Sequence, residues 1–397
     1  MRINKIIFLC IITILLGGCF NYKEINDYAI VSGISIDKCE KDKYEVGIQI
    51  MNSKKDKESD NSLITFYKAK GDTIYEALEQ IMLDSPKELY LGHNEVLIIS
   101  EELLKEKNPL EYLDYFMRDS EVEKDSLMII SKDEKASNIL KIITPLETIP
   151  SKNLKSTLAI ADNFSGAIIL TSADEFISEL KKTGSEAILP SVIIKGKIKD
   201  GKKMDNISQS DPKTKLVFST LGYFENNKLK GYLNKNESMG YNILSNNVKE
   251  AYINLRCDNN NYATLRIDDL KTSKKTYFKN NKPYVKITVK INANLLEYNC
   301  KGDILNNKEL VNNIEKKANK KVKTLLEETH NKLYIQNKSD GLGYGNYFMK
   351  YKKRDMIKNN YNEKNILKDL NFIYDIKVNI KSSELSIKSI EEKNKYE

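Results

Sequence analysis

The sequence predicts an α+β protein of more than one domain, built from mixed or antiparallel sheets that are each packed with helices. Three observations predict this. Short runs rich in Val, Ile, Thr and Tyr, several of them alternating at period two, recur from residue 28 to residue 382. Between some of them lie stretches with apolar residues spaced three and four apart, as an amphipathic helix requires. The 397 residues are 40% hydrophobic and 30% charged, a composition that folds rather than staying disordered. Their number suits two or three domains of roughly 100–200 residues each.

The first segment stands apart from the fold. MRINKIIFLCIITILLGGC (1–19) has a basic start at Arg2 and Lys5, an apolar run, and then Leu16-Gly17-Gly18-Cys19. The run is shorter than the about 20 residues that cross a bilayer comfortably, and its order is that of a secretory signal. A cysteine directly after Leu-Gly-Gly resembles a bacterial lipobox, with Gly17 less usual there than Ala or Ser. The expectation is that residues 1–18 are a lipoprotein signal peptide and that Cys19 carries lipid. Each buried CH₂ contributes about 0.8 kcal/mol, and more than one chain is needed for stable anchoring. A plain signal peptide or an uncleaved anchor are the alternatives, but no second apolar span follows Cys19.

Next, YAIVSGISID (28–37), KYEVGIQIM (43–51) and LITFYKAKG (63–71) read as strands, with a charged exposed loop at 52–61. TIYEALEQIM (73–82) places Ile74, Ala77, Leu78 and Ile81 on one helical stripe. NEVLIIS (94–100) and SLMIIS (126–131) read as buried strands, and NPLEYLDYFMRD (108–119) as a helix opened by Pro109. TSADEFISELKKTG (171–184) reads as a capped helix closed by Gly184, and AILPSVIIKGKI (187–198) as a strand carrying a proline.

KDGKKMDNISQSDPKT (199–214) is polar, holds Gly and Pro, and coincides with a change of charge. Residues 20–200 have 24 Lys and Arg against 33 Asp and Glu, whereas 201–397 have 38 against 23. It is therefore read as a linker between an acidic and a basic module, 20–200 and 215–390. The basic half could face an anionic membrane surface or an acidic partner; a solvated lysine-rich surface is the plainer reading. Nucleic acid is no partner outside the cell.

The distal half is strand-rich: 215–226, 228–234, 250–258, 261–270, 276–280 and 283–299. The last alternates Val285, Ile287, Val289, Ile291, Ala293 and Leu295, as a half-buried antiparallel strand does. One long helix follows over 309–334, with Leu310, Ile314, Ala318, Val322, Leu325, Thr329 and Leu333 on one side and Lys on the other. It is expected to pack on a sheet; a docking helix with an exposed stripe is the sharper alternative. IYDIKVNIKS (373–382) supplies a final strand.

Catalytic chemistry is missing. His93 and His330 are the only histidines and lack metal-site spacing. No nucleophile elbow, zinc-protease motif, phosphate loop or C-x-x-C occurs. Asp268-Asp269 and Glu101-Glu102 are adjacent pairs, which diverge rather than converge on one atom. Gly341, Gly343 and Gly345 in DGLGYG suit a helix-exit turn better than a phosphate cradle. No catalytic, metal or cofactor residue is expected. After Cys10 and Cys19, the cysteines Cys39, Cys257 and Cys300 remain. Cys257 and Cys300 could form one disulfide, or all three could be isolated buried thiols.

Several segments together resemble the Ger(x)C family, the lipoprotein C subunit of bacterial spore germinant receptors. They are GCFNYKEIND (18–27) with AIVSGISID (29–37), LYLGHNEVLIIS (89–100), LPSV (189–192), GYFENNKLKGYLNKNESMGYNIL (222–244) and DGLGYG (340–345). Each is weak alone, but five in order are specific. Phe20 and Tyr344 depart from the family's more frequent Trp and Phe. The resemblance implies a non-enzymatic α+β protein of three domains, two within 20–200 and the third in the distal half. It implies partners, a polytopic A subunit and a transporter-like B subunit, and a place on the extracytoplasmic face of the inner spore membrane. Only one functional residue carries over, the lipidated Cys19. The competing expectation is a solute-binding lipoprotein of a transporter, against which the strand meander of the distal half weighs.

Overall fold

The computed structural model describes residues 24–40, 43–52, 64–119, 121–257, 260–304 and 307–383. The expectations for 1–19, Cys19 included, and for most of the 52–61 loop lie outside the described residues.

A large mixed sheet comes first. β1 (Tyr28–Lys38), β2 (Tyr44–Met51) and β3 (Ile64–Gly71) form an antiparallel flank. α1 (Ile74–Asp84) follows, its first turn capped by Thr73, whose hydroxyl accepts from Glu76 N at 3.1 Å. β4 (Glu88–Tyr90) and β5 (Val96–Ser100) both run parallel to β1, and β6 (Leu127–Ser131) runs parallel to β5. After α2 (Pro150–Phe164) and α3 (Ala173–Lys181), β7 (Ile188–Lys195) joins β6 in parallel. β8 (Lys215–Glu225) and β9 (Lys228–Leu233) close the other flank, giving the order β3-β2-β1-β5-β6-β7-β8-β9 with β4 on β1.

The central strands are covered on both faces, as parallel strands are. Every residue of β5 and β6 is buried. Leu97, Ile99, Met128 and Ile130 pack with α1 and α3 in one core. Val96, Ile98, Leu127 and Ile129 belong to another, which α2 covers with Leu154 and Leu158.

That second core does not stop at the sheet. It continues through α4 (Lys235–Ser245) into a second sheet of β10 (Ala251–Arg256), β11 (Tyr262–Lys279), β12 (Lys282–Tyr298) and β13 (Asn371–Ser383). β10, β11 and β12 are antiparallel, and β13 lies parallel to β12. The crossover between those last two contains α5 (Lys308–His330) and α6 (Tyr344–Lys358). The alternating residues of β12 from Val285 to Leu295 are all buried. So are Ile314, Ala318, Val322, Leu325 and Thr329 of α5, which makes α5 a packed helix rather than an exposed docking helix.

Several expectations change. Residues 199–214 join β7 to β8, which are adjacent antiparallel strands of one sheet, so the chain crosses this stretch without leaving the first sheet. Thr214 N donates to Asn206 Oδ1 and Asn206 Nδ2 donates back to Thr214 O, so two buried residues pin an otherwise largely exposed polar connection. The segment 108–119 is not one helix but a single turn at Pro109–Glu111 and a short helix at Asp114–Arg118. The two strands expected at 261–270 and 276–280 are one strand, β11, with an irregularity between Ile267 and Asp269. α2, α4 and α6 stand where no helix was expected.

Candidate functional site

Two of the quoted motifs meet where the second sheet touches the first, and Asp340 lies at that point. α5 ends in a wider turn, Asn331–Gln336, and the chain then enters DGLGYG (340–345). Asp340 is buried, and its carboxylate is fully used. Oδ1 accepts from Tyr334 Oη at 2.7 Å and Tyr344 N at 2.7 Å, and Oδ2 accepts from Gly345 N at 2.6 Å. An acid over the first amides of α6 satisfies orphan donors and meets the positive end of the helix dipole. Burial nevertheless pushes the Asp340 carboxyl up to about 6, against the hydrogen bonds that lower it.

The glycines here are required by geometry. Gly343 sits at φ 66°, where a side chain is strained. A Cβ on Gly345 would lie 2.4 Å from Glu363 O.

Beside the turn, His330 is sealed in an aromatic box. Its ring stacks on Phe372 at 3.9 Å, with Nδ1 2.7 Å from Tyr374 Oη and Nε2 2.9 Å from Tyr344 Oη. Burial, and then the nearby Lys274 charge, hold this histidine well below its usual range, so it is neutral. A neutral imidazole has one donor and one acceptor, and the two phenols satisfy both. This is a packing histidine.

The turn is clipped to the first sheet. Glu186 N donates to Asp340 O at 3.0 Å, Asn346 N to Gly184 O at 2.8 Å, and Ser339 Oγ to Phe224 O at 2.5 Å. Glu186 in turn accepts from the amides of Asn226 and Asn227 at 3.0 and 3.5 Å. Those two asparagines are both left-handed, φ 53° and 60°, as the tight β8–β9 hairpin requires. The ENNK and DGLGYG motifs therefore hold one another through Glu186.

Below them, α4 crosses α5 at Gly240, where a Cβ would lie 2.2 Å from Thr329 Oγ1 and 2.3 Å from Leu325 O. The first motif acts elsewhere. Asp37 of AIVSGISID accepts from Ala136 N at 2.7 Å and Ser137 N at 2.9 Å, capping the short helix Ala136–Ile139.

A cleft of about 620 Å³ opens against the turn, between α3 and β7 on one side and α4 and β11 on the other. Lys274 lines it, half-buried, and burial lowers its ammonium to about 8. Sequence reasoning missed this lysine, although its place among inward-facing residues of a strand was the available signal.

The residues singled out from the sequence do not converge. His93 is largely exposed, 3.6 Å from Glu95. Asp268 pairs with Arg266 at 2.7 Å while Asp269 accepts from Asn292 Nδ2 at 2.8 Å. Glu101 bonds Lys105 and Asp133 N, whereas Glu102 faces Lys38. Cys257 and Cys300 form a disulfide, and Cys39 is free. Among the described residues, no group of His, Cys, Asp and Glu could hold a metal ion. None of the described helices is long and apolar enough to cross a membrane.

Both halves of the chain that meet at this junction match known proteins. A family model described as "Spore germination protein N-terminal domain" matches residues 21–194, and one described as "Spore germination B3/ GerAC like, C-terminal" matches 219–384. The chain belongs to the Ger(x)C family. Among curated Ger(x)C relatives, spore germination protein KC of Bacillus subtilis (strain 168) is 27% identical over 343 residues, covering 84% of this chain and 83% of its own. Spore germination protein B3 of the same organism is 22% identical over 330 residues, 82% of this chain and 83% of its own. The crystal structure of the GerBC protein superposes with a TM-score of 0.56 at 18% identity, over 88% of this chain and 97% of that one. The last likeness establishes the shared α+β fold. The two family models part at residues 194 and 219, on either side of 199–214, although the first sheet runs through that boundary.

Proposed function

We propose that this chain is the lipid-anchored C subunit of a nutrient germinant receptor, acting without catalysis as a scaffold between the membrane and its A and B subunits. The observation that carries the reading is the match of both family models, in order, from residue 21 to residue 384. The diverging acidic pairs and the sealed, neutral His330 support a structural role. Anchoring is assigned to Cys19, which follows Leu-Gly-Gly at the end of an apolar run. The protein then lies on the extracytoplasmic face of the inner spore membrane, within reach of membrane-embedded partners.

The test uses spores of the source organism. Cys19→Ala should abolish incorporation of labelled palmitate, release the protein from the membrane fraction and slow germination in one class of nutrient. Deleting the chain should remove that response entirely, and its affinity-tagged form should bring down two membrane proteins. Labelling retained in Cys19→Ala would refute the anchor; germination unchanged by the deletion would refute the receptor role.

A further inference from the structure

β11 points one charge inward. Beyond its irregularity at Ile267 and Asp269, Lys271, Ser273 and Lys275 are exposed, while Leu270, Thr272, Lys274 and Thr276 alternate with them on the packed side. A lysine on that face is costly unless its ammonium finds a partner or reaches water. Lys274 lies with Nζ 5.2 Å from the Tyr344 ring centroid and lines the cleft beside Asp340.

The other charges of that cleft are engaged. Asp162 pairs with Lys249 at 2.6 Å and accepts from Leu170 N at 3.0 Å. Glu175 accepts from Ser172 N at 2.9 Å, and Glu179 holds Lys182 and Ser185. Glu186 is committed to the hairpin amides. Among the described residues, Lys274 forms no ion pair and no side-chain hydrogen bond. Its lowered ammonium, about 8, reflects burial that nearby Asp340 only partly offsets.

We propose that this cleft binds a small organic monocarboxylate, whose carboxylate pairs with Lys274 while its body lies between the two family-defined halves. Its volume, about 620 Å³, falls in the range of small-molecule sites. Ile169, Ile188, Tyr241 and Leu342 offer apolar surface for that body. The four fixed acids disfavour a second negative charge, which excludes phosphate and dicarboxylates. Lys249 also lines the cleft but is paired with Asp162, so Lys274 is the one cation left for a ligand among the described residues, and it selects a monoanion. The proposal goes beyond the receptor role and stands without it.

The experiment uses the full mature chain, 19–397, in detergent. Its lysines are reductively methylated with a ¹³C label, and the Lys274 signal is identified by its loss in Lys274→Gln. Butyrate, glycine, succinate and phosphate are titrated at constant ionic strength. Butyrate or glycine should shift the Lys274 signal saturably at millimolar concentration and raise its titration midpoint by about one pH unit, as tenfold tighter binding to the charged form requires. Lys274→Gln should weaken butyrate binding, read by calorimetry, at least tenfold, and Lys274→Arg should retain it, both with unchanged melting. Three results would overturn the proposal. Sodium chloride could shift the signal as much as butyrate, or succinate or phosphate could bind more tightly. Deleting residues 384–397 could also move the Lys274 signal without added ligand, which would make a carboxylate of the chain's own C-terminal segment the occupant.

Discussion

Removing the Cys257–Cys300 disulfide should cost about 4 kcal/mol. The two cysteines are 43 residues apart in sequence, with Cα atoms 5.9 Å apart. Cys257 follows β10, an edge strand that pairs only with β11, and Cys300 follows β12. The bond therefore ties the edge of the second sheet to the strand beyond its neighbour. In the chain-entropy account, closing a loop of this length removes about 13 cal/mol/K from the unfolded ensemble, or about 4 kcal/mol at 25 °C. That is a large share of the about 5–15 kcal/mol that holds a typical domain. The corner also seats α5, because Lys317 Nζ donates to Cys257 O at 2.9 Å. The assay is guanidinium unfolding of the wild type, Cys257→Ser, Cys300→Ser and the double variant. Each single should lose nearly as much as the double, since each breaks the same bond. Thiol titration of the denatured, unreduced chain should find one free thiol, Cys39. Three free thiols, or a loss under about 1 kcal/mol in the double variant, would sink the argument.

Gly240→Ala should destabilise by several kcal/mol, measured by urea unfolding, because its Cβ would sit 2.2 Å from Thr329 Oγ1 and 2.3 Å from a backbone carbonyl. Asp340 should make stability pH-dependent. Its carboxyl is raised from 3.8 to about 6 in the fold, so the folded state holds the proton more tightly. The contribution is present below pH 4 and is lost as pH rises through about 6, a fall on the order of 3 kcal/mol. Asp340→Asn should flatten that part of a pH series of melts; an unchanged slope contradicts it. Val322→Asp should unfold the second sheet, as Val322 is fully buried. Lys317→Glu should cost about 1–3 kcal/mol by placing a carboxylate against two carbonyls, Arg256 O and Cys257 O, whereas exposed Lys320→Glu should change little. Residues 215–397 expressed alone should not melt cooperatively, because β8 loses β7 and the shared core loses β5, β6 and α2; a sharp melt would show that the distal half folds by itself.

Legibility followed the strength of each local signal. β12 and α5 were read correctly because long, regular periods leave one face apolar. α2 was missed because its stripe, Leu154 and Leu158, is narrow and set among polar residues. α4 carries a readable capping box, Asn234 with Glu237, but Gly240 inside it argues against a helix until α5 is known to press there. β11 looked like two strands because its outward face is polar through the middle. The stretch at 199–214 falls between the two family models but within one sheet, and composition shows only the first of these. Composition and charge report on surface, and 199–214 is polar at its surface while strand pairing continues behind it. At the junction, the DGLGYG turn was legible as a turn. Its partner Glu186, its box around His330 and the inward Lys274 depend on contacts between distant segments that no local pattern encodes.

The shared core also sets an order of events. The face of the first sheet that carries Val96, Ile98, Leu127 and Ile129 is finished only when α4, the second sheet and α5 are in place. A chain emerging from its N-terminus makes those strands well over one hundred residues before α5, and β13, which completes the second sheet, comes last among the described elements. During that interval an oily β-surface is covered only in part, by Leu154 and Leu158 of α2, the condition under which growing chains aggregate. Assembly of this protein therefore calls for a holding factor, or slow release, until its last fifth has arrived.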